Sequence, residues 1–188
     1  MPLGAARFGL LGGVADLGKL ELIETQTITS STATADFTSL GSYNVHFMTF
    51  NDMKPVTDGT FVCARLSNDG GSSYLSSGYQ YALQSGTASG TFAESRSTSS
   101  TVLFISNDTG TGTNEVANSY AYFYNLLDSS KYSFLTNHST DFNSSASYEM
   151  WFGSGVKPTA ETHNAIRILF NSGNISTGTI SLYGIAES

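Results

Sequence analysis

Tyr43-Asn44-Val45-His46-Phe47-Met48-Thr49-Phe50 alternates from its first residue to its last. In an extended chain Tyr43, Val45 and Phe47 share one face, and Asn44, His46, Met48 and Phe50 share the other, which is the period of two that a β-strand imposes. Similar β-branched and aromatic runs predict strands at Leu20 to Thr27, Thr60 to Leu66, Tyr79 to Leu83, Thr101 to Ser106, Ser119 to Leu126, Tyr132 to Thr136, Ser147 to Phe152, Asn164 to Phe170 and Gly178 to Ile185. Clusters of Gly, Ser, Asn and Asp separate them. No ten-residue helical pattern intervenes, so the strands must pair antiparallel and stack as two sheets. The expected fold is all-β, an antiparallel jelly-roll-like β-sandwich with an N-terminal extended arm.

Residues 1–18 carry no alternation and form the expected arm, an assembly anchor through Arg7, Phe8, Leu10 and Leu11; residues 19–188 form the sandwich. At the other end, Ile166, Ile168 and Phe170 alternate, a Gly/Asn/Ser stretch follows, and Ile180 and Leu182 alternate again. That pattern predicts a closing hairpin.

The chain has 188 residues, enough for one core. Only 12% are charged, where about 25% is ordinary, so Ser, Thr, Gly and Asn cover most of the surface. The net charge of −7 and the scattering of Lys19, Lys54, Lys131, Lys157, Arg7, Arg65, Arg96 and Arg167 argue against a nucleic-acid partner and against docking on an anionic membrane. No secretory leader or membrane-spanning run is recognisable, so a soluble product made inside a cell is expected. Cys63 stands alone, which rules out an intramolecular disulfide and reads as a small buried hydrophobe.

Catalytic and metal signatures are sparse. His46, His138 and His163 lie far apart with no ligand spacing around them, so no metal is expected. Neither a nucleophile elbow nor a phosphate-cradling glycine loop is present, and no cofactor is expected. Ser67-Asn68-Asp69-Gly70-Gly71-Ser72-Ser73-Tyr74 resembles the Asp-box hairpins of sialidases and other sugar-active proteins. There the motif is structural, so Asp69, Gly70 and Gly71 are expected to build a rigid hairpin tip.

The sharpest chemical alternative is a glycan site. Glu149 and Trp151 share one strand face, and a carboxylate beside an indole can hold a sugar. Hydrolysis needs a second carboxyl about 5–9 Å away, and the remaining acids, Asp141 among them, fall mainly in predicted turns. Tyr120, Tyr122 and Tyr124 form a stripe that suits a glycan, a neighbouring subunit or, as the first expectation, packing inside the sandwich.

Four stretches carry a resemblance: Leu-Gly-Ala-Ala-Arg-Phe-Gly-Leu at 3–10, Tyr-Asn-Val-His-Phe-Met-Thr-Phe-Asn-Asp at 43–52, Leu-Ser-Asn-Asp-Gly-Gly-Ser-Ser-Tyr at 66–74 followed by Ser-Gly-Tyr-Gln-Tyr, and the segment from Asn164 to Ile185. They resemble small virion-associated proteins of tailed bacteriophages, marine ones especially. The resemblance implies a virion structural protein on tail, fibre or capsid, made in the host cytoplasm and partnered by other virion proteins. We therefore expect no enzyme, but a homo-oligomer, with a trimer as the expected form, that aids attachment to host-surface glycan. A stand-alone lectin and a glycan depolymerase are the alternatives.

Overall fold

The computed structural model describes residues 19–186, so the expected arm and its Arg7, Phe8, Leu10 and Leu11 lie outside the described residues. Twelve strands run in chain order: β1 (Leu20–Ile28), β2 (Ala35–Phe37), β3 (Val45–Pro55), β4 (Val62–Ser67), β5 (Tyr79–Thr87), β6 (Phe92–Ser100), β7 (Leu103–Phe104), β8 (Ala117–Tyr124), β9 (Ser133–Phe142), β10 (Tyr148–Lys157), β11 (Ala165–Phe170) and β12 (Ile175–Ile185). They form two antiparallel sheets, an eight-stranded one in the order β1-β12-β3-β8-β9-β10-β5-β6 and a four-stranded one in the order β2-β11-β4-β7. The all-β sandwich expected from the alternation is what the chain adopts.

The core is where the two inner faces meet. Met48, Phe50, Ala121, Phe123, Leu135, Ile180 and Leu182 come from the large sheet, and Phe37, Val62, Leu66, Ile166, Ile168 and Phe170 from the small one. These are the residues that alternate in the sequence. In β3 the pattern sends His46, Met48 and Phe50 inward and leaves Val45, Phe47 and Thr49 half-buried on the outside. A fully buried side chain of this size contributes about 1.5–3 kcal/mol, so the inner face of β3 alone accounts for a substantial part of the driving force.

The closing hairpin expected at Asn164 to Ile185 does not form. β11 pairs with β2 and β4 in the small sheet, whereas β12 pairs with β1 and β3 in the large one. Both strands do alternate, but residues 171–174 carry the chain across the core from one sheet to the other. Ile166 and Ile168 then face Ile180 and Leu182 through the interior instead of sitting beside them. Two further strands escaped the sequence reading. β2 has three residues, too few to show a period. β6 is a mostly exposed edge strand with almost nothing apolar to bury, and Glu94 and Arg96 on it discourage further pairing.

The loop between β4 and β5 makes the local contacts expected of Asp69, but it is not a hairpin tip, because β4 belongs to the small sheet and β5 to the large one. The Ser67 hydroxyl donates to Asp69 Oδ1 at 2.7 Å, and the Ser73 amide and hydroxyl donate to the same carboxylate at 2.9 and 2.6 Å. Those donors hold Asp69 down at about 2. Tyr74 then folds back over the small sheet, where the Arg167 guanidinium lies 3.9 Å from its ring centroid while donating twice to Asp36. Gly70 and Gly71 both have positive φ, at 73° and 88°, but only Gly71 is crowded: a Cβ there would sit 2.8 Å from Thr38 and 3.0 Å from the Tyr74 hydroxyl. Gly71→Ala is therefore expected to cost about 1–3 kcal/mol in urea unfolding, and Gly70→Ala clearly less. Equal losses would refute the crowding argument.

Candidate functional site

Two regions of the large sheet hold the residues singled out by sequence, one on each face. On the inner face of β10, Glu149 and Trp151 are buried, each about 5% exposed. On the outer face of β8, Tyr120, Tyr122 and Tyr124 look away from the core. The sandwich separates the two groups, so they do not make one glycan site, and the stripe does not pack in the interior as first expected. Ala117, Ser119, Ala121 and Phe123 fill the inward positions of β8 instead.

The inner region contains a partner for Glu149 that the sequence reading had assigned to a turn. Asp141 lies on β9 directly opposite Glu149 in the β9–β10 register. The signal was present in the short turn Asn143-Ser144-Ser145-Ala146-Ser147: a hairpin closing there pairs Phe142 with Tyr148 and so places Asp141 against Glu149. Both carboxyls lie beneath the segment that follows β7. Asn107 reaches Glu149 through its side-chain amide and Asp141 through its backbone N–H, the latter at 3.4 Å. Asn143 donates to the other Glu149 oxygen at 3.3 Å, and Asn137 donates to the Ile105 carbonyl at 2.8 Å.

Burial pushes the Asp141 carboxyl up to about 7, with the negative charge of Glu149 adding to it and the Asn107 N–H working against it. Around the pair, the Ser119 and Ser139 hydroxyls, the Trp151 indole nitrogen and one oxygen each of Asn137 and Asp141 are buried without a partner. The two carboxyls are not bonded to each other: Glu149 is held by Asn107 and Asn143, and Asp141 accepts from the Asn107 N–H. Reaching a polymer is not open to this arrangement, because Asp141 and Glu149 are almost wholly enclosed. Among the described residues, no group of three or more His, Cys, Asp or Glu is placed to hold a metal ion. His46 is buried with its Nε2 2.8 Å from the Leu40 carbonyl oxygen, and His163 is buried with its Nδ1 2.7 Å from the Ser133 hydroxyl. Desolvation lowers both imidazoles. Cys63 is buried, and burial pushes its thiol up, away from reactivity.

The outer region is an aromatic field. Phe47 on β3 stands between Tyr120, Tyr122 and Tyr183, with ring centroids 6.1, 4.8 and 6.1 Å away. His138 on β9 continues the row from Tyr120, at 5.9 Å, to Phe152, at 6.4 Å. Phe134 and Phe142 on β9, Tyr148 on β10 and Phe92 on β6 extend it, all exposed. Beside Phe134 the surface dips into an open groove of about 590 Å³ lined by Gln80, Ala82, Arg96, Ser154 and Val156. Sequence reading found the tyrosines of this field; it missed that five neighbouring strands carry aromatic rings at the same height.

The raised Asp141 carboxyl makes a signed prediction. An unfolded Asp titrates near 3.9 and the folded one near 7, so the folded state holds the extra proton between these values. Stability from this group is complete below about pH 4 and is lost as pH rises through about 7. The buried histidines, lowered on folding, act in the opposite direction over part of that range. The difference between wild type and Asp141→Asn isolates the carboxyl: the variant should gain on the order of 1–4 kcal/mol relative to wild type between pH 4 and pH 8. Parallel stability curves would remove the argument. Compared with known family models, curated proteins and solved structures, the chain matches none.

Proposed function

We propose that this chain is a non-catalytic structural subunit on the surface of a tailed-bacteriophage particle, on its tail, a fibre or the capsid, where a jelly-roll-like sandwich presents the outer face of its large sheet. Residues 1–18 serve as its anchor to other virion proteins. The observation that carries the reading is the division of the large sheet: its enclosed face holds the only opposed carboxyl pair noted above, and its open face holds rings and neutral polar groups. Chemistry is walled in and surface is offered. The low charge supports the same reading, since a surface covered by Ser, Thr and Asn keeps its character at high ionic strength, where exposed ion pairs contribute little.

A glycan-binding role is the second reading, and the open groove beside Phe134 favours it, because Gln80, Ser154 and Arg96 supply hydrogen-bond groups next to a ring. Depolymerisation has less support: a glycosidase needs both carboxyls within reach of the scissile bond. Mass spectrometry of purified particles should find the chain at a fixed ratio to the other virion proteins. Incubation of the purified protein with host-surface polysaccharide should release no reducing sugar. Release that Glu149→Gln abolishes, or a chain absent from particles, would overturn the proposal.

A further inference from the structure

The outer face of the large sheet is too broad and too apolar to be an ordinary solvated surface. Eight strands at about 4.8 Å spacing span roughly 34 Å, and eight to eleven residues at about 3.4 Å per residue give a comparable height, on the order of 900 Å² in all. A stable protein contact needs about 800 Å² from each partner. Leu20 and Leu22 at the β1 edge are 53% and 61% exposed, Phe92 at the β6 edge is 76% exposed, and Tyr120, Phe134, Phe142, Tyr148 and Phe152 between them are each above 40%. Exposed rings and leucines distributed across a face of this breadth mark an interaction site.

Charge narrows the partner. The chain carries −7 overall, so two copies repel across most pairs of faces. This face is different. Between the two edges its fixed charges are confined to Asp52 and Lys54, beyond the bulge at the end of β3, and to the Glu94–Arg96 ion pair on β6. The outward positions of β8, β9 and β10 hold a single imidazole, His138, and no carboxylate, Lys or Arg. The facing groups around that ring are Tyr120 and Phe152.

Ring geometry points away from a polysaccharide. Tyr122 and Tyr124 lie near-parallel at 25°, but Tyr120 and Tyr122, Tyr120 and His138, and His138 and Phe152 meet at 79°, 86° and 88°, so the centre of the field is not an extended flat platform. Such a surface is ridged and suits interdigitation with another side-chain surface. The exposed Leu20 and Leu22 add aliphatic area that a sugar does not use.

We propose that the outer face of the eight-stranded sheet docks on the same face of a second copy of this chain. The contact is isologous, as a two-fold pair requires. With the two-fold axis running parallel to the strands, the β1 edge of one copy lies over the β6 edge of its partner. That axis keeps height along the strands, so Leu22 of one copy lies over the row of Arg96 in its partner, four residues along β6 from Phe92. This rests on the reading of the chain as an assembling structural subunit, and it replaces the three-fold form expected from the sequence with a two-fold contact.

Sedimentation equilibrium on the full-length chain at micromolar concentration should give a dimer. Tyr122→Arg and Phe152→Glu, which put like charges on both sides of the contact, should each weaken association at least 100-fold without changing the circular dichroism spectrum. A chain monomeric at all concentrations overturns the proposal, as does a dimer indifferent to both substitutions; a trimer overturns the two-fold pairing. If Tyr122→Arg lowers the melting temperature of a monomer, the occupant is the chain's own N-terminal segment. If the monomer instead binds polysaccharide through Tyr122, the occupant is a glycan; either result refutes the second copy. Particle association is scored separately by mass spectrometry, so a dimer missing from virions defeats the proposed function alone.

Discussion

Four strands lie over eight, and the consequences of that mismatch organise the molecule. A sheet must cover one face to fold, and β2, β11, β4 and β7 cover the central part of the large sheet with apolar side chains. Beyond their reach, the inner faces of β9 and β10 are roofed by the two-residue β7 and the irregular segment that follows it. Irregular backbone cannot satisfy its own N–H and C=O groups, so the strands beneath must supply partners. That is why Asn137 serves the Ile105 carbonyl, why Asp141 accepts from the Asn107 amide, and why Glu149 is tied to Asn107 and Asn143. Asp141 and Glu149, opposed across the β9–β10 ladder, are thereby tied to the segment that roofs them.

The same mismatch leaves the opposite face of the large sheet with nothing above it among the described residues. An all-β domain of this kind ordinarily turns a polar face to water. Here the outward positions of five strands hold Phe47, Tyr120, Tyr122, His138, Phe152 and Phe92, while the inward positions of β8 hold Ala117, Ser119 and Ala121 beside the single large ring of Phe123. Rings on both the buried and the open side of the sheet invert the usual reading, in which the apolar face is the buried one.

That inversion explains what was legible in the sequence. The β-branched and aromatic runs located β1, β3, β4, β5, β7, β8, β9, β10, β11 and β12 because each buries apolar side chains. They left out β2, which is too short, and β6, which buries almost nothing. Alternation tells which residues share a face; it does not tell which face is inside when both are apolar. The tyrosine stripe was assigned to packing for that reason. Pairing was harder still. Apart from β5–β6, β8–β9 and β9–β10, every neighbouring pair joins strands far apart in sequence, so β11 and β12 looked like a hairpin when each belongs to a different sheet. The Asp-box turn was readable because its chemistry is local: Ser67, Asp69 and Ser73 find one another within seven residues.

Low charge ties the two faces together. With 12% charged residues, the protein has few ion pairs to lose, and the bidentate Arg167–Asp36 pair under Tyr74 is among the few partly sheltered ones. Stability therefore comes from apolar packing and strand ladders, which salt screens hardly at all. An uncharged aromatic field on a body that carries −7 has a clear electrostatic consequence: like-charged copies are kept apart wherever their charged surfaces meet, and approach is least opposed where the rings are. In the proposed contact, repulsion elsewhere on the molecule selects the geometry, and the apolar area of the field supplies the strength.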